Sequence, residues 1–449
     1  MSMALTRTRG SSFFSGLILI FVGALLLLHN YHGYDLREAL GRWWPLIFIV
    51  WGAIKLFERA TAHRSGDPNP TTITAGEVFL VLGLMALVAV VVAIDYGKQH
   101  MPGDFDFGNS FEYDLDAPSK TITPDAHVTI RNGRGNVSVR SSDIAEIRIS
   151  GKKNVKAWSD GEAQRIANPI SVEVVENGDG YEVHPTGLPS GDSRISVDLE
   201  VDVPLKSTVT IRNEKGDISA SDLGAPLVVN SISGDIDIRD TNGDVSIDSK
   251  KGDVKVSDTK GNVKISGHGG QVEVISASGS FTLDGEFYGP IRAEKVAKGV
   301  RFVSQRTDLT LSQLTGHMEA SPGSLEIADV PGNLSVRAQD DITIENVTGK
   351  LKVDNRKGDV EVRFSSPPKE EVEIDNSSAG INITIPESSS FEITADCRNC
   401  DIESEFSGDS LKTTEHGGDH HLEGKYGSGH GPKIALTTSH GTISIHKTS

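Results

Sequence analysis

The sequence predicts an all-β protein: a two-sheet β-solenoid with nine-residue strand-turn repeats, preceded by an α-helical membrane anchor. Three observations lead to this fold class. Glycine recurs every nine residues in the middle of the chain, a short phrase of alternating polar and apolar residues follows each of these glycines, and the first hundred residues hold three apolar blocks.

The regular glycines are Gly234, Gly243, Gly252, Gly261, Gly270 and Gly279. After each one, a single polar residue precedes an apolar–polar–apolar triplet rich in β-branched residues, a pattern typical of half-buried strands. The residues between the triplets are mostly Asp, Asn, Ser, Gly and Lys, which favour turns. A fixed short period indicates a repeat fold, because one repeat has too little apolar surface to be stable alone.

Two strands per coil require 18 residues, so residues 18 apart should stack. We expect the repeat core to consist of Ile236, Ile238, Val245, Ile247, Val254, Val256, Val263, Ile265, Val272, Val274, Phe281 and Leu283. Asp237, Lys255 and Glu273 would point outward in one column, where opposite charges are neighbours. A β-sandwich with regular hairpins is the alternative, but sandwiches rarely keep one glycine spacing so strictly.

The N-terminal end predicts a membrane anchor of residues 1–98 in contact with the lipid bilayer. Its apolar blocks are close to the length that spans a hydrocarbon core, and they predict transmembrane helices at about 11–29, 43–59 and 76–95.

Positively charged residues predict the orientation of this anchor. Arg7 and Arg9 precede the first helix, and Lys55, Arg59 and Arg64 follow the second, so these segments should be cytoplasmic. Three crossings then make a multi-pass protein of the cytoplasmic (inner) membrane with a large extracytoplasmic C-terminal domain. If the second block is re-entrant, that domain would be cytoplasmic instead.

The apolar run from Gly16 to Asn30, followed by Trp44-Pro45-Leu46-Ile47 and Gly52, resembles the transmembrane region of LiaI/LiaF-like proteins over about residues 10–60. That resemblance implies a membrane regulator of cell-envelope stress signalling. The third predicted helix lies beyond the matched part.

The remainder is predicted to contain a linker at 99–124, a β-rich cap at 125–210 and the solenoid at 211–449. Ser159 to Ala167 is a helical candidate within the cap, with Asp160 as its N-cap. The cap would protect the first solenoid edge from pairing with other chains. After Leu283 the glycine period drifts to between seven and ten residues.

The Gly-Asp-Val/Ile-x-Val/Ile phrases, the turn Ser231 to Ile236, and the closing Gly-Pro-Lys-Ile434 and Gly-Thr-Ile443 segments carry a second resemblance. They resemble the bacterial putative-adhesin family of β-strand-repeat domains over about residues 125–447. That resemblance implies the fold and brings no catalytic residues with it.

Net charge excludes one class of partner. The chain carries −18, while residues 1–100 hold eight Lys/Arg against six Asp/Glu, a balance of +2 that leaves −20 for the remainder. Nucleic-acid binding needs a basic surface, so we expect no nucleic-acid partner.

Aspartates at Asp217, Asp235, Asp244, Asp253 and Asp359 follow turn glycines. Such aspartates are ordinary in turns, and the G-G-x-G-x-D phrase of calcium-binding solenoids is missing. A calcium ladder is therefore the weaker interpretation.

Cys397 and Cys400 form a lone CxxC. In an oxidising exterior we expect a local disulfide across a turn, with free thiols as the alternative. A zinc site would need two further ligands.

The glycine-rich stretch near the C-terminus is predicted to be a flexible loop and contains His416, His420, His421 and His430. Clustered histidines can also bind Zn²⁺ or Ni²⁺. No nucleophile-elbow phrase occurs, and carboxylates are spread over every turn. We therefore predict no catalytic, cofactor-binding or metal-binding residue, and no enzyme.

The function predicted from these features is a membrane-anchored extracytoplasmic scaffold for adhesion or interaction at the cell envelope, with an unknown protein or glycan partner. The alternative is a LiaF-like membrane regulator of a cell-envelope stress response whose anchor contacts a membrane sensor kinase.

Overall fold

The computed structural model describes residues 108–115, 118–178, 180–189, 191–428 and 430–449. They belong to the second of the two units into which the chain divides, Asp106–Ser449. The predicted membrane anchor and residues 99–107 of the predicted linker lie outside the described residues. Within the described part, no helix is long and apolar enough to cross a membrane.

The all-β prediction is confirmed for this part of the chain, in which 34 strands accompany one short helix, α1 (Asp160–Ala167). The strands up to the middle of the unit are β1 (Asn109–Asp114), β2 (Lys120–Thr121), β3 (His127–Asn132), β4 (Val137–Ser142), β5 (Glu146–Ala157), β6 (Ser171–Asn177), β7 (Gly180–Thr186), β8 (Ile195–Pro204), β9 (Thr208–Lys215), β10 (Ile218–Ser221), β11 (Leu227–Ser233), β12 (Ile236–Thr241), β13 (Val245–Ser249), β14 (Val254–Thr259), β15 (Val263–Gly269), β16 (Val272–Ala277), β17 (Phe281–Phe287), β18 (Ile291–Val296) and β19 (Val300–Val303). The remaining strands are β20 (Asp308–Leu311), β21 (Leu314–Ser321), β22 (Ser324–Val330), β23 (Leu334–Ala338), β24 (Asp341–Val347), β25 (Leu351–Asn355), β26 (Val360–Arg363), β27 (Val372–Asn376), β28 (Ile381–Pro386), β29 (Phe391–Cys397), β30 (Ile402–Ser404), β31 (Leu411–His416), β32 (Asp419–Tyr426), β33 (Lys433–Thr438) and β34 (Ile443–Thr448).

Two sheets, mostly parallel, share these strands. The first sheet has the spatial order β1-β5-β8-β4-β10-β12-β14-β16-β18-β21-β22-β24-β26-β28-β34-β30, and β2 also pairs with β5. The second sheet has the order β6-β7-β3-β9-β11-β13-β15-β17-β19-β20-β23-β25-β27-β33-β29-β32-β31. Through the repeats the chain alternates between the sheets, so that one strand from each sheet forms a rung.

Parallel pairing at a spacing of 18 residues sets the register of the central rungs. In the first sheet Ile236 pairs with Val254 and Val254 with Val272. In the second sheet Val245 pairs with Val263 and Val263 with Phe281. The 12 residues of the predicted repeat core are each at most 1% exposed. Alternating burial follows because successive side chains of a strand point to opposite faces.

One rung in the middle of the unit runs in the opposite direction. β20 is antiparallel to β19 and β23, and β21 is antiparallel to β18 and β22. Tight turns explain this reversal, because only antiparallel strands can be joined by short hairpins. One hairpin closes between Ser304 and Thr307, whose backbone groups are hydrogen-bonded at 2.8 Å. The reversed rung separates an N-terminal lobe, β1–β19, from a C-terminal lobe, β22–β34.

Both lobes place their terminal rung inside the stack. At the start, β3 lies between β7 and β9, and β4 lies between β8 and β10. At the end, β33 lies between β27 and β29, and β34 lies between β28 and β30. Antiparallel strands cover the outer rungs, namely β1, β5 and β6 at one end and β31 and β32 at the other.

Two local details differ from the sequence analysis. The N-cap of α1 is Ser159, whose hydroxyl accepts a hydrogen bond from the Glu162 backbone, and Asp160 is the first helical residue. Ser and Asp cap equally well, so the sequence did not decide between them. Residues 109–114, inside the predicted linker, form β1 because Phe111 and Tyr113 pack beside α1.

The boundary between the predicted cap and the solenoid at residue 211 stays a prediction. β9 runs through this position and pairs with β3 on one side and β11 on the other.

Candidate functional site

The corner where the chain passes from the second sheet to the first carries the repeated Gly-Asp dipeptide. Gly234, at such a corner, has φ of 137°, and a Cβ there would lie 2.0 Å from the carbonyl oxygen of Gly216. Both the backbone conformation and the approach of the adjacent rung therefore require glycine.

Each aspartate after these glycines connects its rung to the next one. Asp217 Oδ1 accepts a hydrogen bond of 2.9 Å from the Asp235 backbone N–H, Asp235 does the same for Asp253, and Asp253 accepts from Gln271 at 2.8 Å. Asp244 plays this role for Asn262 at the opposite corner. A carboxylate that accepts a backbone N–H is a strong hydrogen-bond partner, so these aspartates have a structural role in the turns.

The same arrangement recurs in the C-terminal lobe. Asp341 accepts from the Asp359 backbone at 3.0 Å, and Asp359 accepts from Gly380 at 2.8 Å. The five aspartates that the sequence singled out thus belong to the turns of both lobes. Within the described residues, no group of three or more His, Cys, Asp or Glu side chains could hold a metal ion.

Beside this corner, the outer face of the first sheet forms an open groove of about 610 Å³. Two columns of side chains line it, one from the corners and one from the strands. Its lining residues are Asn136, Val137, Ser138, Asp217, Ile218, Ser219, Asp235, Ile236, Asp237, Asp253, Val254, Lys255, Gln271 and Glu273. We call this surface the polar groove.

Charge in the polar groove is mostly negative and partly paired. Lys255 Nζ lies 2.7 Å from Glu273 Oε2 on the adjacent rung. Asp237 pairs with Arg239 along its own strand, and the hydrogen bond that Arg239 donates to Asp237 raises the pKa of Arg239. Asp217, Asp235 and Asp253 keep their second carboxylate oxygens for other partners, because the described hydrogen bonds from the next rung use Oδ1.

At the other end of the unit, Cys397 and Cys400 are joined by a disulfide at the end of β29. Cys397 is buried, and Cys400 packs against the core from a partly buried position. The bond closes the turn that leads into β30. His420 Nδ1 lies 2.5 Å from the Cys400 carbonyl oxygen and ties β32 to this turn.

Most of the histidine-rich stretch belongs to a β-hairpin, β31–β32, and the flexible-loop prediction is wrong for residues 415–426. Pairing with β29 orders it, since β29 offers a free antiparallel edge. His421 Nδ1 lies 2.7 Å from Asp396 Oδ1 on β29, and its Nε2 lies 3.5 Å from Glu423. The hydrogen bond with Asp396 raises the pKa of His421.

Nearby, Glu405 accepts a hydrogen bond of 2.7 Å from the Lys447 backbone N–H, and its carboxylate lies 3.2 Å from His446 Nδ1. These contacts lower the pKa of Glu405. Phe391, Phe406 and Tyr426 pack against one another beneath this end, with ring centroids 4.7–5.5 Å apart. We call residues 391–426 the C-terminal cap, and these hydrogen bonds, the aromatic contacts and the disulfide hold it together.

A column of buried polar side chains was missed by the sequence analysis. It comprises Asn132, Asn213, Ser231 and Ser249 in the N-terminal lobe and Asn355 and Asn376 in the C-terminal lobe. In all but Asn376, glycine follows three residues later, and this Asn/Ser-x-x-Gly spacing is the signal that could have identified them.

Comparison with known families gives two matches. The family model described as Toastrack DUF4097 matches residues 103–288 and again residues 270–446. The model of the LiaF transmembrane domain matches residues 14–100. The first match covers the N-terminal lobe as far as β17, and the second begins at β16 and continues through the reversed rung into the C-terminal lobe. No curated protein matches the sequence significantly.

Three solved structures illustrate the similarity. A "putative cell adhesion protein" from Clostridium sporogenes is 11% identical, covers 76% of this chain and 100% of its own, and has a TM-score of 0.17. A "putative adhesin" from Bacteroides fragilis is 9% identical, with 76% and 98% covered and a TM-score of 0.20. A "putative lipid binding protein" from Parabacteroides distasonis is 12% identical, with 77% and 98% covered and a TM-score of 0.26. At these values the likeness carries no argument about function.

Proposed function

Because the chain belongs to the Toastrack DUF4097 family and carries an N-terminal LiaF transmembrane domain, we propose that it is a membrane-anchored β-solenoid scaffold at the cell envelope. Its extracytoplasmic domain binds a protein or glycan partner, for adhesion or for assembly of an envelope complex. The partner is extended, and it lies along the polar groove.

The polar groove is the observation that carries this proposal. It crosses several consecutive rungs of the first sheet, and its corner column repeats similar side chains from one rung to the next, namely Asn136, Asp217, Asp235, Asp253 and Gln271. Strands in a sheet are about 4.8 Å apart, so the groove offers equivalent polar groups at a constant short interval. Such a surface suits a long partner with its own repeating groups better than a small ligand, which would be enclosed more fully.

The same groove argues for binding rather than catalysis. An active site brings acid, base or nucleophile together in a restricted space with shifted pKa values. Here the corner carboxylates repeat along the stack, and their Oδ1 atoms are already committed to backbone N–H groups. We therefore propose a non-enzymatic role.

The proposed topology has three transmembrane helices in the matched segment and an exported solenoid. Its support is the positive charge at Arg7 and Arg9 and again at Lys55, Arg59 and Arg64. The disulfide at Cys397 agrees with an oxidising compartment, since stable disulfides are rare in the cytosol.

A second candidate function is regulation of a cell-envelope stress response, in which the anchor contacts a membrane sensor kinase. The LiaF match over residues 14–100 favours it. The two candidates place the partner on different parts of the chain, the solenoid in the first and the anchor in the second.

Crosslinking in living cells tests the scaffold. A photo-reactive residue at Ser219, in the polar groove, should give a discrete adduct, whereas the same residue at Ser246, outward on the second sheet, should not. No adduct at Ser219, or the same adduct at both positions, would contradict binding in the groove.

Replacement of residues 1–98 by an unrelated three-helix anchor separates the two candidates. A scaffold keeps its Ser219 adduct after this exchange. If the protein instead acts as a regulator through its anchor, the exchange should abolish the stress response, whether or not the Ser219 adduct still forms.

A further inference from the structure

Four buried polar side chains occupy one register position in the N-terminal lobe. Asn132 pairs with Asn213, Asn213 with Ser231, and Ser231 with Ser249 along neighbouring strands of the second sheet. They are at most 4% exposed, and each lies three residues before a corner glycine, which Asn follows at the first corner and Asp at the other three. The column is therefore an internal feature, separate from the polar groove outside.

The side-chain Nδ2 of each of the two asparagines donates two hydrogen bonds to backbone carbonyl oxygens. Asn132 Nδ2 donates to the carbonyl oxygens of Gly135 and Val197 at 3.1 and 2.9 Å. Asn213 Nδ2 donates to Gly216 and Gly135 at 2.8 and 3.1 Å. Each amide thus clamps its own turn to an adjacent strand or turn.

The oxygen atoms of the column have no such partner. Asn132 Oδ1, Asn213 Oδ1, Ser231 Oγ and Ser249 Oγ are buried, and within the described residues no protein group forms a hydrogen bond with them. Buried polar atoms in folded proteins are almost always paired with protein or with ordered water. Four orphaned oxygens in consecutive rungs therefore indicate a shared polar ligand.

The spacing of the rungs identifies the ligand. Adjacent strands are about 4.8 Å apart, and one water molecule with two hydrogen bonds of about 2.8 Å can span that distance. Water can donate to both asparagine oxygens and can accept from a serine hydroxyl. A cation is disfavoured, because these side chains carry no charge to offset its desolvation.

We propose that the N-terminal lobe binds an internal file of three water molecules, one between each adjacent pair of these four oxygens. The file ends beyond Ser249 because the next residue in the column is Gly267, where a Cβ would lie 2.0 Å from the Ser249 carbonyl oxygen. At that rung the column has no side chain that could bind a further water.

The C-terminal lobe repeats the arrangement independently. Asn355 pairs with Asn376, both are fully buried, and both Oδ1 atoms lack a partner among the described groups. Their Nδ2 atoms donate to Gly358, as in the other lobe. One water bridges this pair. The next residue, Thr438, ends the column because its hydroxyl already has protein partners: it lies 2.9 Å from the carbonyl oxygens of both Ala379 and His440 and can donate its one proton to either.

Magnetic relaxation dispersion of water on the full-length protein in lipid nanodiscs counts internal waters with long residence times. The test variant carries Ser231→Ala and Ser249→Ala, small changes that keep the fold. Its count should fall by two relative to the wild type, because the last two bridges lose their serine partners. The control Ser246→Ala, on the outer face of the same strand as Ser249, should leave the count unchanged.

Thermal unfolding of the same variants gives a second readout, because a hydrated column and a dry column predict opposite shifts of the unfolding midpoint. Removal of a hydrated hydroxyl should lower the midpoint by a few degrees, roughly the effect of one lost hydrogen bond in a domain of this size. Removal of a dry, unpaired hydroxyl would raise it. An unchanged water count in the double variant overturns the proposal, whichever way the midpoint moves.

Discussion

At the scale of single residues, neighbours in one strand have opposite roles. Val254 is 1% exposed and lies between Ile236 and Val272, whereas Lys255 points outward and pairs with Glu273. Burial of a valine contributes roughly 1.5–3 kcal/mol, whereas an exposed ion pair contributes about 0–1 kcal/mol. The inner column therefore dominates the stability of these rungs.

We expect Val254→Asp to destabilise the protein strongly, because it leaves a carboxylate unpaired in an apolar core or forces its protonation. Limited proteolysis should then reveal new cleavage sites near residues 236–283. Lys255→Ala serves as the control and should change little. Equal tolerance of both substitutions would mean that the assignment of inner and outer faces is wrong.

Gly234→Ala should be severely destabilising, because its Cβ would collide with the Gly216 carbonyl oxygen and its backbone has a positive φ. Gly133→Ala is the matched control, since nothing lies within 4 Å of its added Cβ. Denaturant melts of the two variants measure the difference. A Gly234→Ala protein as stable as Gly133→Ala would contradict the close approach of adjacent rungs.

At the scale of elements, the C-terminal cap depends on a histidine that bridges two strands. His421 on β32 faces the carboxylates of Asp396 on β29 and Glu423 on its own strand. Its pKa is raised above the usual value of about 6.5. Stabilisation from its charged form is therefore fully present below about pH 6.5 and is lost as the pH rises through the higher folded-state pKa.

We expect the backbone amides of β32 to lose protection from hydrogen exchange as the pH increases above about 6.5, after correction for intrinsic exchange rates. His421→Gln should abolish this pH dependence, and His416→Gln, exposed on the same hairpin, should preserve it. A wild-type cap with constant protection across this range would refute the role of His421.

The disulfide should act locally, since Cys397 and Cys400 are only three residues apart and short loops gain little chain-entropy stabilisation. Mass spectrometry of protein prepared without reductant should find the two cysteines linked. Replacement of both by serine should increase exchange in β30 and leave the N-terminal lobe unchanged. Complete alkylation of both thiols in native material would exclude the linkage.

Elements differ in how far the sequence predicts them. The rungs from β11 to β17 follow from an 18-residue period, because each rung is closed by local turn chemistry at Gly-Asp or an equivalent dipeptide. The reversed rung β20–β21 was not predictable, because apolar and polar residues alternate along a strand in the same way whether its neighbours are parallel or antiparallel. Asn213 and Ser231 were missed because a polar residue next to a turn resembles a turn residue, although it points inward.

At the scale of the whole molecule, the two lobes share one architecture. Each has corner aspartates that accept from the next rung and an internal asparagine pair that clamps the glycine turns. The polar groove, in contrast, belongs to the N-terminal lobe. The sequence predicted Asp237, Lys255 and Glu273 as an outward column, but not the continuous surface that they form with the corner residues.

The proposed topology predicts where the end of the chain lies. A reporter that is active only outside the cytoplasm, fused after Ser449, should be active in cells, because three crossings from a cytoplasmic N-terminus export the domain. A reporter fused after Arg64 provides the opposite control and should be inactive. A stable but inactive fusion at Ser449 would rule out the three-crossing arrangement.

The position of the last rung has a consequence for biogenesis. β33 and β34 follow β27–β30 in the chain, yet they fill the space between two rungs formed by those earlier strands. Until β33 and β34 are in place, β27, β28, β29 and β30 each keep an unpaired edge. Unpaired strand edges can pair with other chains. A chain that lacks β33 and β34 therefore leaves these four edges unpaired, so its stack stays open between β27 and β29 and between β28 and β30.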